Sequence, residues 1–452
     1  MTTYYVDNTP FSGHHTGKAT GGGANTITLE ASCAEANDAF NNYGIYIYDG
    51  TGSLKTGRRI TDYDSASRVA TVNANWDTAP DNTSYYDITY GCDVNDGKPT
   101  SYSSPLYDGS HGAFASISAA TTAAALTGGD TIYVKAGTEY SWMYSSTAKY
   151  GAYLTKYGST TARITLAGYK TTPGDADSHP GDESYMAVIK GNRVPAVQMA
   201  TGINPAAATA VYYNVFNFKV YSCSTYGLSI GAGGSYIHVK NCKFEQISAH
   251  EAVRLGTGSV VQGCIFDQNY WGIYLGGADN LITECIFDSN THSGIYVNNV
   301  NGNVISRCLF YGMPASYAGI ESVTSGTIQA HNCVFDGEDI GANYGIKSVY
   351  PKTFAVNCIA TRCGTGLYGP ATYSPITSWN NVLYDNSADT SQWPAGVGHI
   401  TSDPQFTNIA THDYTIPFAS PARGAGYPLY LDIGAYQREE TAAPTPIFVI
   451  DD

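Results

Sequence analysis

At 452 residues the chain is long enough for two or three compact domains, or for one long solenoid with attachments. Charged residues make up 13% of it, while 49 Gly and 38 Tyr point to β structure with many tight turns, and a 43% hydrophobic content excludes a disordered chain. The net charge of −15, with 23 basic residues scattered among 38 acidic ones, disfavours nucleic acid and anionic membranes as partners.

The chain opens on a short strand, Tyr4-Tyr5-Val6-Asp7, with neither a basic nor an apolar leader segment before it. No stretch approaches the roughly 18 apolar residues of a membrane span. Synthesis in a cytosol without Sec-type export is therefore the expectation. Residues 18–90 then form a run of short alternating segments expected to be strands: Thr26–Leu29, Gly44–Ile47, Arg59–Tyr63, Arg68–Val72 and Tyr85–Ile88. Asp93-Val94-Asn95-Asp96-Gly97 follows, with the Asp and Asn spacing of a calcium loop but without the further ligands and distal Glu such a loop needs. No other cofactor motif is present, so no cofactor is expected beyond that weak calcium signal. Ala113–Leu126 is the one amphipathic helix, placed where a solenoid must cap its open core. A Gly128-Gly129-Asp130 turn and the strand Thr131–Val134 come next, and Arg163–Tyr169 is a further strand.

From about 211 to 385 the sequence repeats every 20 to 26 residues. One element is Cys-x-Phe, at Cys242, Cys264, Cys285, Cys308 and Cys333, with Cys358-Ile359-Ala360 continuing it. The other is Gly followed by Ile or Leu, at Gly227, Gly272, Gly294, Gly319, Gly345 and Gly366, with Ala252-Val253 filling one slot. Each period holds two or three short strands parted by Asn, Asp and Gly turns, the pattern of a parallel β-helix. Single cysteines 21 to 25 residues apart, with no CxxC pair, fit one inward column of free thiols better than a metal site or disulfide framework.

The helix, the "GGDTIYVKAGTEY" run and Arg163–Tyr169 together resemble the N-terminal cap and first coils of pectate-lyase-like β-helix proteins. Asp403-Pro404-Gln405-Phe406, Asp413-Tyr414, Ser420-Pro421-Ala422 and Asp432–Tyr436 resemble the closing coils of bacterial and phage members. The run "IYIYDGTGSLKTGRRITDY", then "VATV", Trp76 and "PDNTSYYDI", resembles a module common in tailed-phage structural proteins. These resemblances imply an all-β chain, a right-handed parallel β-helix with an N-terminal capping helix and a small inserted β domain. Its expected divisions are 1–17 as the entry strand, 18–90 as the insert, 91–437 as the β-helix and 438–452 as a tail. They also imply a virion surface protein of a tailed phage, a capsid decoration, head fibre or tail component. It would contact other virion proteins, assemble as a homotrimer and bind host surface polysaccharide. The alternative is a tailspike-type depolymerase, a glycoside hydrolase or lyase.

For such chemistry the outward columns beside the Gly-Ile ladder matter. The position after Gly-Ile/Leu is Ser229, Arg254, Tyr274, Tyr296, Glu321, Lys347 and Tyr368. Two residues before each Gly stand Thr225, His250, Tyr270, His292, Tyr317 and Asn343, with Glu251 and Trp271 between the columns. His250, Tyr270, Trp271, Tyr274, His292, Tyr296 and Tyr317 are the glycan-binding candidates, because rings and imidazoles can stack on and hydrogen-bond to sugars. Glu251, Arg254 and Glu321 are the catalytic candidates, as acid, base or charge stabiliser. A plain β-helix surface also collects Tyr, Thr and charges in its outward columns. The acidic column Glu245, Asp267, Asp288, Asp336, with Asn269 and Asn290 two residues beyond Asp267 and Asp288, is expected to serve turns and Asn stacking rather than a cation.

Overall fold

The computed structural model describes all residues except 13–15, 53–56, 100–105, 138, 141–149, 192–200, 206–210, 231–235, 324–325, 342, 350–352, 370–376, 394–395, 429–430 and 438–452. The apolar segment 447–450 and the rest of the expected tail lie outside the described residues. Most of the chain winds through three parallel sheets of 11, 10 and 10 strands. A typical coil contributes Val260–Gln262 to the first sheet, Ile265–Asp267 to the second and Trp271–Leu275 to the third. The next coil repeats the order in register, with Val261 opposite Ile282, Phe266 opposite Phe287 and Ile273 opposite Ile295. Strands pair at about 4.8 Å, so every column in the sequence becomes a stack in space.

Inside, each sheet supplies one continuous column. Val239, Val261, Ile282 and Ile305 come from the first sheet, and Val253, Ile273, Ile295 and Ile320 from the third. The second sheet contributes Phe244, Phe266, Phe287, Phe310 and Phe335, whose rings stack with centroids 4.6–5.5 Å apart. The glycine column makes room for these rings. A Cβ at Gly272, Gly294 or Gly319 would lie 2.7, 2.8 or 2.4 Å from a ring carbon of Phe287, Phe310 or Phe335. The two sequence ladders are therefore two halves of one packing arrangement.

The corner between the first and second sheets explains the cysteines. Asn241, Gly263, Glu284, Arg307, Asn332 and Asn357 adopt left-handed backbone with φ between 52° and 61°, and each precedes a ladder cysteine. The carbonyl before each turn accepts from a backbone N–H of the preceding coil, as Gln262 O does from Asn241 N at 3.0 Å and Thr283 O from Gly263 N at 3.1 Å. The thiols of Cys242, Cys264, Cys285, Cys308 and Cys333 donate to the carbonyls two residues earlier at 3.2–3.3 Å. Cysteine suits the position because it is small, nearly apolar and still a weak donor. All ten cysteines are free and buried, and burial pushes the thiols of Cys242 and Cys358 upward. Cys264, Cys285 and Cys308 should therefore resist thiol reagents in the native protein and react only on unfolding. Cys285→Ser should cost about 1–3 kcal/mol in denaturant unfolding, since a hydroxyl is costlier to bury. Rapid native labelling of these three thiols would contradict the stacked ladder.

The N-terminal strand Thr3–Val6 pairs in parallel with Thr131–Lys135 and so belongs to the first sheet. Between them in sequence lies a seven-stranded sheet whose described pairs are antiparallel. It has its own apolar cluster, including Ile27, Phe40, Ile45, Ile60, Tyr63, Trp76 and Ile88. Its strands Thr16–Lys18 and Gly21–Gly23 were not expected, because glycine-rich stretches carry no strand pattern. The helix is shorter than expected, spanning Ile117–Thr122 rather than 113–126. Phe114 is held extended by exchange with the first strand, accepting from Asp7 N and donating to Tyr5 O, both at 2.8–2.9 Å. Ser116 caps the helix by accepting from Ala119 N.

The C-terminal segment departs from the closing coils expected. Val397 and Ile400 make isolated parallel bridges to Trp379 and Val382. Beyond them the described residues 404–428 and 431–436 pack on the outer face of the second sheet instead of winding further coils. The reason lies in the residue after each ladder cysteine. That outward column changes from Lys243 to Leu309, Val334, Ile359 and Val382, which are buried beneath Tyr414, Ala422, Ile433 and Ala435. Asp336 anchors this flap: its carboxylate accepts from Tyr414 Oη at 2.9 Å and from Arg362 Nε at 2.9 Å.

Candidate functional site

The outer face of the third sheet gathers the site residues that the sequence singled out. Ser229, Arg254, Tyr274, Tyr296, Glu321, Lys347 and Tyr368 are direct cross-strand partners in succession. Beside this column, Tyr270 stacks on His292 with ring centroids 3.7 Å apart, and His292 meets Tyr317 at 4.3 Å. Trp271 lies over Tyr296 at 5.0 Å, and Tyr274 stacks on Tyr296 at 5.6 Å. His250 stacks on Tyr226, a ring the sequence reading passed over although it precedes the Gly227-Leu228 pair. All seven glycan-binding candidates are at least partly exposed, so their rings form one surface strip. Asn343 departs from the expected outward column. It is buried and bonds to the carbonyls of Met313 and Gly337, serving the interior.

Two ion pairs bracket the strip. At one end Arg254 lies over the Tyr274 ring at 4.8 Å, with its Nε 3.5 Å from Glu251. Glu251 is buried, and desolvation pushes its carboxyl above the usual range, against the opposing pull of its own backbone hydrogen bond and of Arg254 and His250. At the other end Glu321 accepts from Ser293 Oγ at 2.5 Å and from Lys347 Nζ at 2.9 Å. Ser293 and Lys347 had not been linked to Glu321, because long side chains lean across coils in ways a column of letters does not reveal.

The three catalytic candidates are only partly brought together. Glu251 and Arg254 are neighbours on one strand, whereas Glu321 lies three coils away, along the steps Val253–Ile273, Ile273–Ile295 and Ile295–Ile320. Three coils are about 14 Å of axial rise. Carboxylate pairs that cleave glycosides stand roughly 5–5.5 or 6.5–9.5 Å apart. Glu251 and Glu321 do not make such a pair.

Burial between its ring neighbours lowers the His292 pKa, with Glu321 pulling the other way. Its imidazole should titrate below about 6.5, the unperturbed value. A depressed native pKa stabilises the fold above the unfolded value, and that contribution is lost as pH falls through the native one. NMR titration should show this, and Glu321→Gln should lower the His292 pKa further; a rise on that substitution would contradict the assignment.

The acidic column of the second sheet serves structure. Lys219 and Lys243 bind Glu245 at 3.0 and 3.2 Å, and Tyr311 interrupts the series between Asp288 and Asp336. Asn269 and Asn290 are buried, each donating to a phenylalanine carbonyl of the coil before, Phe244 and Phe266. In the calcium-like stretch, Asp93 accepts from the backbone of Ala115 and Ser116 at the helix start, and Asp96 pairs with His111 at 2.7 Å. Among the described residues, no group of three or more His, Cys, Asp or Glu is placed to hold a metal ion.

Residues 183–335 and 271–409 match the family model described as the right-handed β-helix region, together just over half of the chain. No curated protein matches the sequence. Among solved structures, a pectate lyase is 16% identical with a TM-score of 0.49, covering 77% of this chain and 94% of its own. An alginate lyase from Paenibacillus sp. is 11% identical with a TM-score of 0.43, covering 63% and 96%. A rhamnogalacturonan lyase is 15% identical with a TM-score of 0.37, covering 65% and 72%. With half of its length matched by that model and its strands wound in the corresponding coils, the chain belongs to the right-handed β-helix family.

Proposed function

We propose that the chain is a glycan-binding surface protein of a tailed-phage-like particle, with the aromatic strip of the third sheet as its binding face. The observation that carries the glycan part is the strip itself, a run of stacked and partly exposed rings held on a rigid sheet. Apolar faces of sugar rings stack on such side chains while hydroxyls bond to the flanking polar groups. The particle context rests on the resemblance of residues 45–88 to phage structural modules. A separate sheet with its own apolar cluster is a reasonable attachment unit. Homotrimeric assembly is part of the same reading, and light scattering should return three chains of 48.1 kDa each.

Binding is tested by alanine substitution at Tyr270 and Trp271, each expected to weaken affinity for host surface polysaccharide at least tenfold, about 1.4 kcal/mol or more. Unchanged affinity in both variants would remove the strip from the binding face. The alternative reading, a depolymerase, has one observation in its favour: the raised carboxyl of Glu251 beside Arg254 suits a general acid. Incubation with capsule or lipopolysaccharide, followed by assays for reducing ends and unsaturated products, separates the two, with no product expected.

A further inference from the structure

We infer that the third-sheet strip is built for an uncharged glycan and selects against uronate chains. The inference rests on the glycan-binding reading above and names the class of sugar. The two cations described on the strip are each met by a carboxylate of the same face. Arg254 has Glu251 at 3.5 Å, and Lys347 has Glu321 at 2.9 Å. Both acids are nearly buried, with side chains 3% and 9% exposed, whereas the cations are 35% and 24% exposed. The carboxylates thus sit beneath the cations and neutralise them from below. A uronate carboxyl approaching either cation would have to compete with an acid already in place, and like charges at that range repel.

Between the two pairs the surface is ring and imidazole. Tyr270, Trp271 and Tyr274 lie on one coil, His292 and Tyr296 on the next and Tyr317 on the third, a platform about 10 Å long along the axis. Burial keeps the His292 imidazole in its uncharged form at neutral pH, so the middle of the platform offers hydrogen bonds without net charge. The chain's overall charge of −15 adds a long-range repulsion toward any polyanion. Stacking and hydroxyl recognition remain, and these suit neutral hexose chains.

The test is a binding series on the full chain with printed neutral oligosaccharides beside oligogalacturonates and oligomannuronates, repeated at low and high salt. The expected result is binding to neutral glycans that changes less than about twofold from 0.05 to 0.5 M salt, since no ion pair with the ligand is screened. Glu321→Gln, which leaves Lys347 without its carboxylate, should gain salt-sensitive uronate binding at least about fivefold over the parent. Glu251→Gln should do the same at the Arg254 end. Binding to uronates alone, weakening with salt, would overturn this inference and leave the glycan reading standing. Failure of the parent chain to bind any glycan would overturn both.

Discussion

Phe287→Ala should lower the unfolding free energy by about 3–5 kcal/mol, among the largest losses available in the coils. Phe287 is fully buried and stacks on both sides, with Phe266 at 4.8 Å and Phe310 at 4.6 Å. Its removal opens a gap that the third sheet cannot fill, because the facing residue is Gly272. The neighbouring rings are held by their own coils and can relax only in part, so a cavity term adds to the lost transfer energy. Denaturant titration of the variant is the check. A loss under about 1 kcal/mol would mean that the ring stack contributes little. A paired Gly272→Ala substitution is informative. In the parent its methyl would meet the Phe287 ring at 2.7 Å and the Gly294 carbonyl oxygen at 2.5 Å, so the backbone clash persists in the Phe287→Ala background and Gly272→Ala should recover no stability there.

Asp336→Ala should cost about 3–5 kcal/mol and loosen the C-terminal flap. The carboxylate is fully buried and is shared by Arg362 on the solenoid and Tyr414 on the flap. Removing it leaves a guanidinium and a phenol without their common acceptor beneath an apolar cover. Burial and the Asp336 charge hold the Tyr414 phenol well above its usual range, so it stays a donor at any working pH. Limited proteolysis should then cut within 404–436 much faster than in the parent, while the coils keep their sheet signal. Asp336→Asn, which keeps one acceptor, should fall between the two. Equal resistance of parent and Asp336→Ala to proteolysis would contradict the anchoring role.

The β-helix was legible because in-register stacking forces the same residue type to recur at each coil. Cys-x-Phe and Gly-Ile are what a tight corner and a crowded interior demand, so they stand out in one sequence. The flap was not read correctly because its motifs resemble closing coils, and the decisive signal lay elsewhere. That signal is the outward column Lys243, Ile265, Ile286, Leu309, Val334, Ile359, Val382, where charge gives way to apolar residues. The aromatic strip was legible as columns of letters, since register fixes which residues share a face. The pairing of Glu321 with Lys347 and Ser293, and the depth of Glu251, were not, because side-chain lean and burial depend on neighbours one coil away. The helix was read too long because alanine-rich sequence favours helix, whereas Phe114 gains more by pairing with the first strand.

Hydroxyl-radical footprinting of the protein with and without a saturating bound oligosaccharide tests the central claim most directly. The account predicts protection concentrated on Tyr270, Trp271, Tyr274, Tyr296 and Tyr317, with the exposed rings of Phe418 and Tyr427 on the C-terminal segment reacting as before. Protection centred on the C-terminal segment or on the seven-stranded sheet, with the third-sheet rings unchanged, would contradict it.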